Sequence, residues 1–479
     1  MKFRIASAIF IISLFLTLTC AVNPVTGKRQ LILLSRADEI ALGAQTDEEI
    51  VKMYGIYEDT GLNDYINAVG KRLVPHTHQP DLPYSFKILD TDVVNAFAVP
   101  GGYVYLTRGI LAYINNEAEV AGIMGHELGH VNARHTAQMM SQAQLAQLGL
   151  QLGSAISETF ARFAGFAGFG VQLLFLRFSR DHEREADNLG VEYASKTGYD
   201  TNAMASFFET LERMHPSEGG GIPDWFSTHP DPQDRIRAVR TKTAEWQNKL
   251  GLQSYILDKT DYIKQLDGLV FGPDPRQGYT ADQTFYHPGM KFQFPLPPDW
   301  QVNNLPSQVQ MISPDQKGVI LFTMLPASSL DEAITQFSDN TSATVLKREP
   351  GNTHGYQSIL LHSEIAGEQP LRLLSNFIQF DQTIFAFHGF AGPADFESFA
   401  APAFQPTLAG FRKLTDPVKI NVKPARIRIQ TVRTAATLAG YLSQNKIPSE
   451  QQGNIAIMNG MQLNERLNPG SQIKIIIQE

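Results

Sequence analysis

The feature that most constrains this chain is the segment His126-Glu127-Leu128-Gly129-His130, which lies in an otherwise apolar or small-residue stretch. Residues four apart share one face of a helix, so His126 and His130 can reach the same metal ion. Glu127 lies beside that face, where its carboxylate can take a proton from a metal-bound water without ligating the metal. Buried imidazoles and a buried carboxylate need partners, which a metal ion supplies. The segment therefore predicts a helix from Asn116 to about Arg134 that carries a buried metal site.

A second segment, the acidic run from Asp181 to Asp187, can complete this site. Two histidines and one open position leave a single protein ligand missing from a catalytic zinc site. Glu183 and Asp187 are four apart on a predicted helix, so one can ligate the metal while the other hydrogen-bonds a ligand imidazole. By pattern alone Glu185 competes with Glu183 for this role, and a solvated charged helix face is an alternative explanation of the whole run.

Composition limits the classes of function that remain. The chain has 479 residues, of which 43% are apolar and 18% charged, as in a globular protein of two to four domains. Its net charge of −8 argues against nucleic acid as a partner, since nucleic-acid binders normally carry a basic face.

The N-terminus predicts export. Residues 1–19 have a short basic start followed by an apolar run, which is the pattern of a secretory signal peptide. Cys20, the single cysteine of the chain, follows this run directly and resembles the acylated cysteine of a bacterial lipobox. We therefore expect a lipid anchor on Cys20 that attaches the protein to a membrane. The alternative is ordinary signal cleavage that leaves a soluble periplasmic protein.

The rest of the chain predicts an α+β multidomain protein with three parts. Residues 20–255 form a mainly helical domain with a small β-sheet and a hairpin-like turn at Pro100-Gly101-Gly102. Residues 280–415 form a separate α+β domain that resembles the PsbP-like fold. Residues 424–479 have the order strand, helix, helix, strand and resemble a LysM-like module.

Several short segments, taken in order, resemble the zinc peptidases of family M48, which includes the HtpX-type and CAAX prenyl endopeptidases. These segments are Cys20 with Asn23–Gly27, Asn95–Ala98 with Pro100–Gly102, His126–His130, Ser179-Arg180 with Glu183, Ala186 and Asp187, and Thr228–Pro230 with Arg235-Ile236. Within the family, the likeness is to envelope lipoproteins and covers about residues 20–250. It implies a zincin-type peptidase domain with one Zn²⁺ per chain, held by His126, His130 and Glu183 and supported by Asp187.

The resemblance also implies roles for two further segments. Asn95, Ala96, Phe97 and Ala98 correspond to a strand beside the cleft that pairs with extended substrate. His229 corresponds to a loop histidine near the metal, which either donates to the transition state or plugs the metal's fourth position; a plain turn residue is the alternative. Five further histidines are predicted to lie in loops or on the surface, namely His76, His78, His135, His182 and His215.

These features predict a zinc metalloendopeptidase that hydrolyses misfolded or misassembled cell-envelope proteins, with Glu127 as general base. The expected location is the periplasm, at the outer membrane. A chaperone-like scaffold lipoprotein with a plugged metal site is the alternative. The LysM-like module adds cell wall or an envelope protein as a candidate partner.

Overall fold

The computed structural model describes residues 20–147, 177–214, 225, 228–229, 232–367 and 370–478. Residues up to 272 form one compact unit together with residues 425–478, called unit 1 below, and residues 273–424 form unit 2. The predicted signal peptide, residues 1–19, lies outside the described residues. The predicted domain limits near residues 255, 280, 415 and 424 stay predictions.

The first part of unit 1 is mainly helical, as the sequence predicts. Its helices are α1 Arg36–Tyr54, α2 Thr60–Leu73, α3 Arg108–Tyr113, α4 Glu117–Asn132, α5 His135–Gln147, α6 Arg180–Thr197, α7 Asn202–Arg213, α8 Pro232–Leu250 and α9 Lys259–Gln265. Its strands are β1 Cys20–Val22, β2 Arg29–Leu31, β3 Ser85–Leu89, β4 Ala96–Val99 and β5 Tyr103–Thr107.

The small sheet of unit 1 has the strand order β3-β5-β4. β4 pairs with β5 in antiparallel register, with Val99 opposite Tyr103, and β3 is parallel to β5. Gly101 and Gly102 make the turn between β4 and β5 with φ values of 86° and 103°, a region that residues with a Cβ rarely occupy. The predicted hairpin is thus present, and it leaves β4 at one edge of the sheet.

Unit 2 is built mainly from antiparallel strands. Its elements are β6 Tyr279–Ala281, β7 Thr284–His287, β8 Phe292–Pro295, β9 Gln301–Leu305, β10 Gln308–Ile312, β11 Gly318–Leu325, α10 Leu330–Thr341, β12 Thr344–Thr353, β13 Tyr356–Ile365, β14 Leu371–Phe380, β15 Thr383–Ala391, α11 Phe396–Phe399, α12 Gln405–Ala409, β16 Arg412–Lys413 and α13 Pro417–Ile420.

The larger sheet of unit 2 has seven strands in the order β12-β13-β14-β15-β11-β10-β9. Successive side chains of a strand point to opposite faces. In β15, Phe385 and Phe387 accordingly join a cluster rich in phenylalanine, while Ile384 and Ala386 pack on the other face with residues of α10. The sheet is therefore covered on both faces, as expected for an α+β domain.

The C-terminal part of unit 1 has the predicted order of strand, helix, helix and strand. Its elements are β17 Ala425–Thr431, β18 Ala436–Thr437, α14 Leu438–Gln444, α15 Ser449–Met458, β19 Arg466–Leu467 and β20 Gln472–Gln478. β17 and β20 are antiparallel neighbours. Ile427, Leu442 and Ile473 belong to the same buried cluster as the core residues of α2 and α4.

Among the residues described, we find no helix with the length and apolar composition needed to cross a membrane.

Candidate metal centre

Helix α4 carries the two histidines and the glutamate that the sequence singles out. Asn116 caps its start by accepting a hydrogen bond from the Glu119 backbone N–H, an interaction typical of helix N-caps. All residues of α4 are buried, and His126, Glu127 and His130 are at most 2% exposed. The helix thus presents three polar side chains to the interior, where each needs a partner.

Helix α6 crosses α4 at very short range because glycines line both helices. A Cβ at Gly190 would lie 2.8 Å from the backbone nitrogen of His126, and a Cβ at Gly129 would lie 2.9 Å from the carbonyl oxygen of Ala186. Ser179 caps the start of α6 and Gly198 ends it in the left-handed conformation. This close crossing brings Glu183 and Asp187 of α6 to the histidines of α4.

Four buried side chains converge at the crossing: His126, His130, Glu183 and His229, whose potential ligand atoms all lie within 4.8 Å of one another. The Nε2 atoms of His126 and His130 are 3.0 Å apart, and His130 Nε2 is 3.4 Å from Glu183 Oε1. Ligands about 2.0–2.1 Å from a tetrahedral zinc ion are separated by roughly 3.3 Å from one another. The spacing of these atoms therefore fits a tetrahedral ion, and a set of imidazoles with one carboxylate is one that zinc accepts.

Asp187 and Arg235 form a second layer around this cluster. Asp187 Oδ1 lies 2.9 Å from His126 Nδ1, which directs the Nε2 lone pair of His126 towards the cluster. The Arg235 guanidinium donates to both oxygens of Asp187, at 2.7 and 2.8 Å, and its Nη1 lies 2.8 Å from Glu183 Oε2. One buried cation thus compensates the two carboxylates of α6.

His229, the fourth member of this cluster, lies against two glutamates. Its Nδ1 lies 3.0 Å from Glu183 Oε1, and its Nε2 lies 3.7 Å from Glu127 Oε1. The Trp225 ring packs on the imidazole of His229 with 4.2 Å between ring centroids, and the backbone N–H of Trp225 donates to the Val94 carbonyl just before β4. His229 Nε2 and Glu127 Oε1 have no hydrogen-bond partner among the described residues.

The pKa values of the two glutamates at the cluster, Glu127 and Glu183, are shifted in opposite directions. Burial raises the pKa of Glu127, although the charges of His229 and His126 oppose this rise. Burial would also raise the pKa of Glu183, but the charges of His229 and Arg235 outweigh it and hold that pKa well below its usual value. These opposite shifts favour the ionised form of Glu183 and make the protonated form of Glu127 more accessible.

The histidines of the cluster also differ from each other. Burial lowers the pKa of His130 well below its usual value, which keeps the ring in the neutral form that a metal requires. Burial would lower the pKa of His229 too, but the nearby carboxylates of Glu183 and Glu127 outweigh this effect and raise it.

The prediction that His135 lies in a loop or on the surface is wrong. Its side chain is fully buried, and its Nδ1 lies 2.9 Å from Nδ1 of His130. On the other side, His135 Nε2 lies 3.2 Å from Glu185 Oε2. Glu185, the sequence competitor of Glu183, thus contacts His135, whereas Glu183 belongs to the four-residue group.

The predicted substrate strand lies beside the cluster. Ala96, Phe97 and Ala98 belong to β4, and Asn95 precedes it, held by hydrogen bonds between its backbone and Thr107. A narrow crevice is lined by Ala98, Val99 and Pro100 at β4 and by His130 of the cluster. It shares Glu39, Val131 and Arg134 with a neighbouring cavity of about 190 Å³.

The part of the chain that carries this cluster is similar in sequence to known proteins. Residues 61–243, which include the four cluster residues and Arg235, match the sequence model of Peptidase family M48. The beta-barrel assembly-enhancing protease of Yersinia pestis is 32% identical over 220 residues, which are 44% of this chain and 44% of that protein. The mitochondrial metalloendopeptidase OMA1 of Schizosaccharomyces pombe is 30% identical over 232 residues, which are 47% of this chain and 67% of that protein.

The matches leave a large part of the chain uncovered. The alignment with the bacterial protease spans less than half of its length. The solution structure of cyanobacterial PsbP from Synechocystis sp. PCC 6803 covers 27% of this chain and 91% of its own, at 11% identity and a TM-score of 0.24, which is too low to assign a fold. For the part that does match, the identity to OMA1 over two thirds of that protein shows that the chain belongs to peptidase family M48.

Proposed function

We propose that this chain is a zinc-dependent endopeptidase whose metal ligands are His126, His130 and Glu183. The observation that carries the proposal is the buried group of ligand atoms within 4.8 Å of one another, with the Glu127 carboxylate beside it. Buried carboxylates and imidazoles without compensation are costly, and a divalent cation would satisfy them together. Family membership and the metalloendopeptidase OMA1 as a relative support the same reaction class.

The chain's own residues supply the proton chemistry of amide hydrolysis. A bound zinc ion would polarise the scissile carbonyl and make a water molecule more acidic. Glu127 accepts a proton from the attacking water and then delivers it to the leaving amine. Its burial raises its pKa, and Oε1 has no hydrogen-bond partner among the described residues, so the carboxylate is available for this exchange.

His229 has two possible roles, and its contacts bear on both. Its Nε2 lies at the cluster, 3.7 Å from Glu127 Oε1, so the imidazole could donate a hydrogen bond to a substrate bound at the metal. The same position lets His229 occupy the remaining metal position and block the site. The second case supports the alternative function, a scaffold or chaperone-like protein with a plugged metal centre.

Peptide substrates would bind along β4. Among the described strands, β4 is paired on one side only, so its other edge can add an extended peptide through main-chain hydrogen bonds. Such pairing does not read side chains, which suits a protease for unfolded segments of many proteins. We propose misfolded or misassembled envelope proteins as substrates, since the relatives include a beta-barrel assembly-enhancing protease.

We propose that the protein lies on the periplasmic side of the outer membrane and is attached to it by a lipid on Cys20. The C-terminal residues 424–479, which resemble a LysM-like module, are proposed to contact cell wall or an envelope protein. Retention of the full chain on purified peptidoglycan would test the first of these partners.

Casein cleavage by purified, zinc-loaded protein tests the function. We expect wild type to cleave casein and Glu127→Gln to lose activity by at least roughly 100-fold while it retains zinc. Glu58→Gln, an exposed residue, is the matched control and should cleave as wild type does. Zinc without cleavage in wild type and in His229→Ala would favour the scaffold, and higher activity in His229→Ala would identify His229 as a plug.

A further inference from the structure

His135 and Glu185 form a buried chain of contacts behind the second histidine of the metal centre. His130 Nδ1 lies 2.9 Å from His135 Nδ1, and His135 Nε2 lies 3.2 Å from Glu185 Oε2. His135 is fully buried, and the Glu185 side chain is 28% exposed. The chain therefore leads from the metal centre to a carboxylate near the surface of unit 1.

The tautomers along this chain follow from the need of His130 to bind metal. Nε2 of His130 points at the cluster, where it must offer a lone pair, so a neutral ring carries its proton on Nδ1. That Nδ1–H then donates to Nδ1 of His135. His135 in turn carries its proton on Nε2 and donates to Glu185, so each contact has one donor and one acceptor.

The two metal-binding histidines are thus supported in different ways. His126 donates directly to Asp187, a contact that follows the usual arrangement of a carboxylate behind a ligand imidazole. For His130, the ring of His135 is inserted between the imidazole and its carboxylate. We propose that His135 and Glu185 are positioning residues that fix the ring orientation and tautomer of His130 for zinc, an inference that rests on the proposed function.

The backbone supports this role for His135. Arg134, between α4 and α5, has φ of 60°, a left-handed conformation that is costly for a residue with a long side chain. Its guanidinium holds the turn, since Nε donates to Glu39 Oε1 at 2.7 Å and Nη2 donates to the Leu34 carbonyl at 2.8 Å. The turn ends α4 and directs His135, the first residue of α5, back towards His130.

Aromatic packing fixes the planes of both rings. Phe178 stacks on His130 with 3.9 Å between centroids, and His182 stacks on His135 at 4.3 Å. His182 touches the same imidazole without lying in the hydrogen-bonded chain. Replacing His182 with Phe is therefore a matched control, because it exchanges an imidazole for a phenyl ring beside His135 at a residue that accepts nothing from His130.

Zinc affinity, measured by competition with a fluorescent chelator, tests the proposal. His135→Phe keeps a ring but removes the acceptor, and we expect its zinc Kd to rise roughly 10- to 100-fold. His135→Asn keeps an acceptor at the position of Nδ1 and should recover most of the affinity. His182→Phe should bind zinc as tightly as wild type.

The outcomes separate this proposal from the proposed function. Wild-type affinity in His135→Phe, or equal losses in the Phe and Asn variants, would overturn the positioning role while the metalloenzyme stands. A wild-type chain that binds no zinc would reject both. If thermal denaturation shows that His135→Phe does not fold, Glu185→Leu takes its place, and an unchanged zinc Kd in that variant would overturn the proposal.

Discussion

Arg235 lies between the two carboxylates that α6 contributes to the metal centre. It donates to both oxygens of Asp187, its Nη1 lies 2.8 Å from Glu183, and its guanidinium packs over the Phe208 ring at 4.5 Å. A planar guanidinium can hold two carboxylates at once, which an ammonium group cannot do with the same geometry. Arg235 therefore sets the positions of Glu183, a proposed metal ligand, and of Asp187, which contacts the imidazole of His126.

Replacing Arg235 with Met should destabilise unit 1 strongly. The substitution leaves Glu183 and Asp187 buried without their shared cation, and loss of one partner from a buried ion pair costs roughly 3–5 kcal/mol. Urea denaturation of the metal-free protein measures this loss. The control is Arg237→Met, two residues further along α8, where the side chain is 80% exposed. Similar unfolding midpoints for the two variants would contradict the role given to Arg235.

For individual residues, the sequence predicts those members of the site that share one face of a helix. Four-residue spacing pairs His126 with His130 and Glu183 with Asp187, and resemblance adds His229. His135 escapes prediction because a left-handed turn at Arg134 returns it to His130. The role of Arg235 could not be predicted from the sequence, because its partners Glu183 and Asp187 lie about fifty residues earlier in the chain.

Among the structural elements, α4 and α6 decide whether the site can form. Their backbones approach so closely at Gly125, Gly129 and Gly190 that a side chain at Gly190 would meet backbone atoms of α4. Glycine is the weakest helix former apart from proline, so its presence inside both helices reflects this contact. The short distance is what allows carboxylates of one helix and imidazoles of the other to share an ion.

Gly190→Ala should therefore destabilise the protein although alanine is the better helix former. The added methyl would lie 2.8 Å from the His126 nitrogen, and forcing α4 and α6 apart should cost about 1–3 kcal/mol. Gly453→Ala in α15 is the matched control, since nothing lies within 4 Å of its added Cβ. That variant should gain up to about 1 kcal/mol from helix propensity. Thermal unfolding of both variants checks the difference, and a stabilised Gly190→Ala would show that the helices are not in tight contact.

Helices with apolar periodicity were predictable to within a few residues, whereas the strands of unit 2 were predictable only in part. The predicted helix from Asn116 to about Arg134 corresponds to α4, which runs from Glu117 to Asn132. β12 shows no apolar alternation because it lies at the edge of its sheet, with most of its side chains exposed. Strand order could not be predicted, because antiparallel pairing depends on contacts that are distant in sequence, such as that of β11 with β15.

At the scale of the whole molecule, the C-terminal residues are built into unit 1. Lys474 of β20 is fully buried, and its Nζ donates to the carbonyls of Ala112 and Ile114 at 2.7 and 2.8 Å. Burial lowers the pKa of Lys474, against the charge of Glu119 near the start of α4. Glu119 in turn accepts from the backbone N–H of Asn115. The C-terminal strand thus contacts the chain just before the helix that carries the metal centre.

Lys474→Met should weaken this connection without changing the volume of the side chain greatly. Two buried carbonyls lose their donor, and each such loss costs about 1–3 kcal/mol, so we expect a decrease in unfolding free energy of roughly 2–6 kcal/mol. Lys71→Met, at an exposed position of α2, serves as the control. Urea denaturation compares the two, and an unchanged midpoint in Lys474→Met would show that the C-terminal part is docked through other contacts.

The central claim is that His126, His130 and Glu183 bind one zinc ion in the interior of unit 1. X-ray absorption at the zinc edge, with metal content per chain, tests it most directly. The claim predicts one zinc per wild-type chain, with nitrogen and oxygen ligands at about 2.0–2.1 Å, and little zinc in His126→Ala. A wild-type chain without zinc, or a His126→Ala variant that keeps the same amount and the same ligand shell, would contradict it.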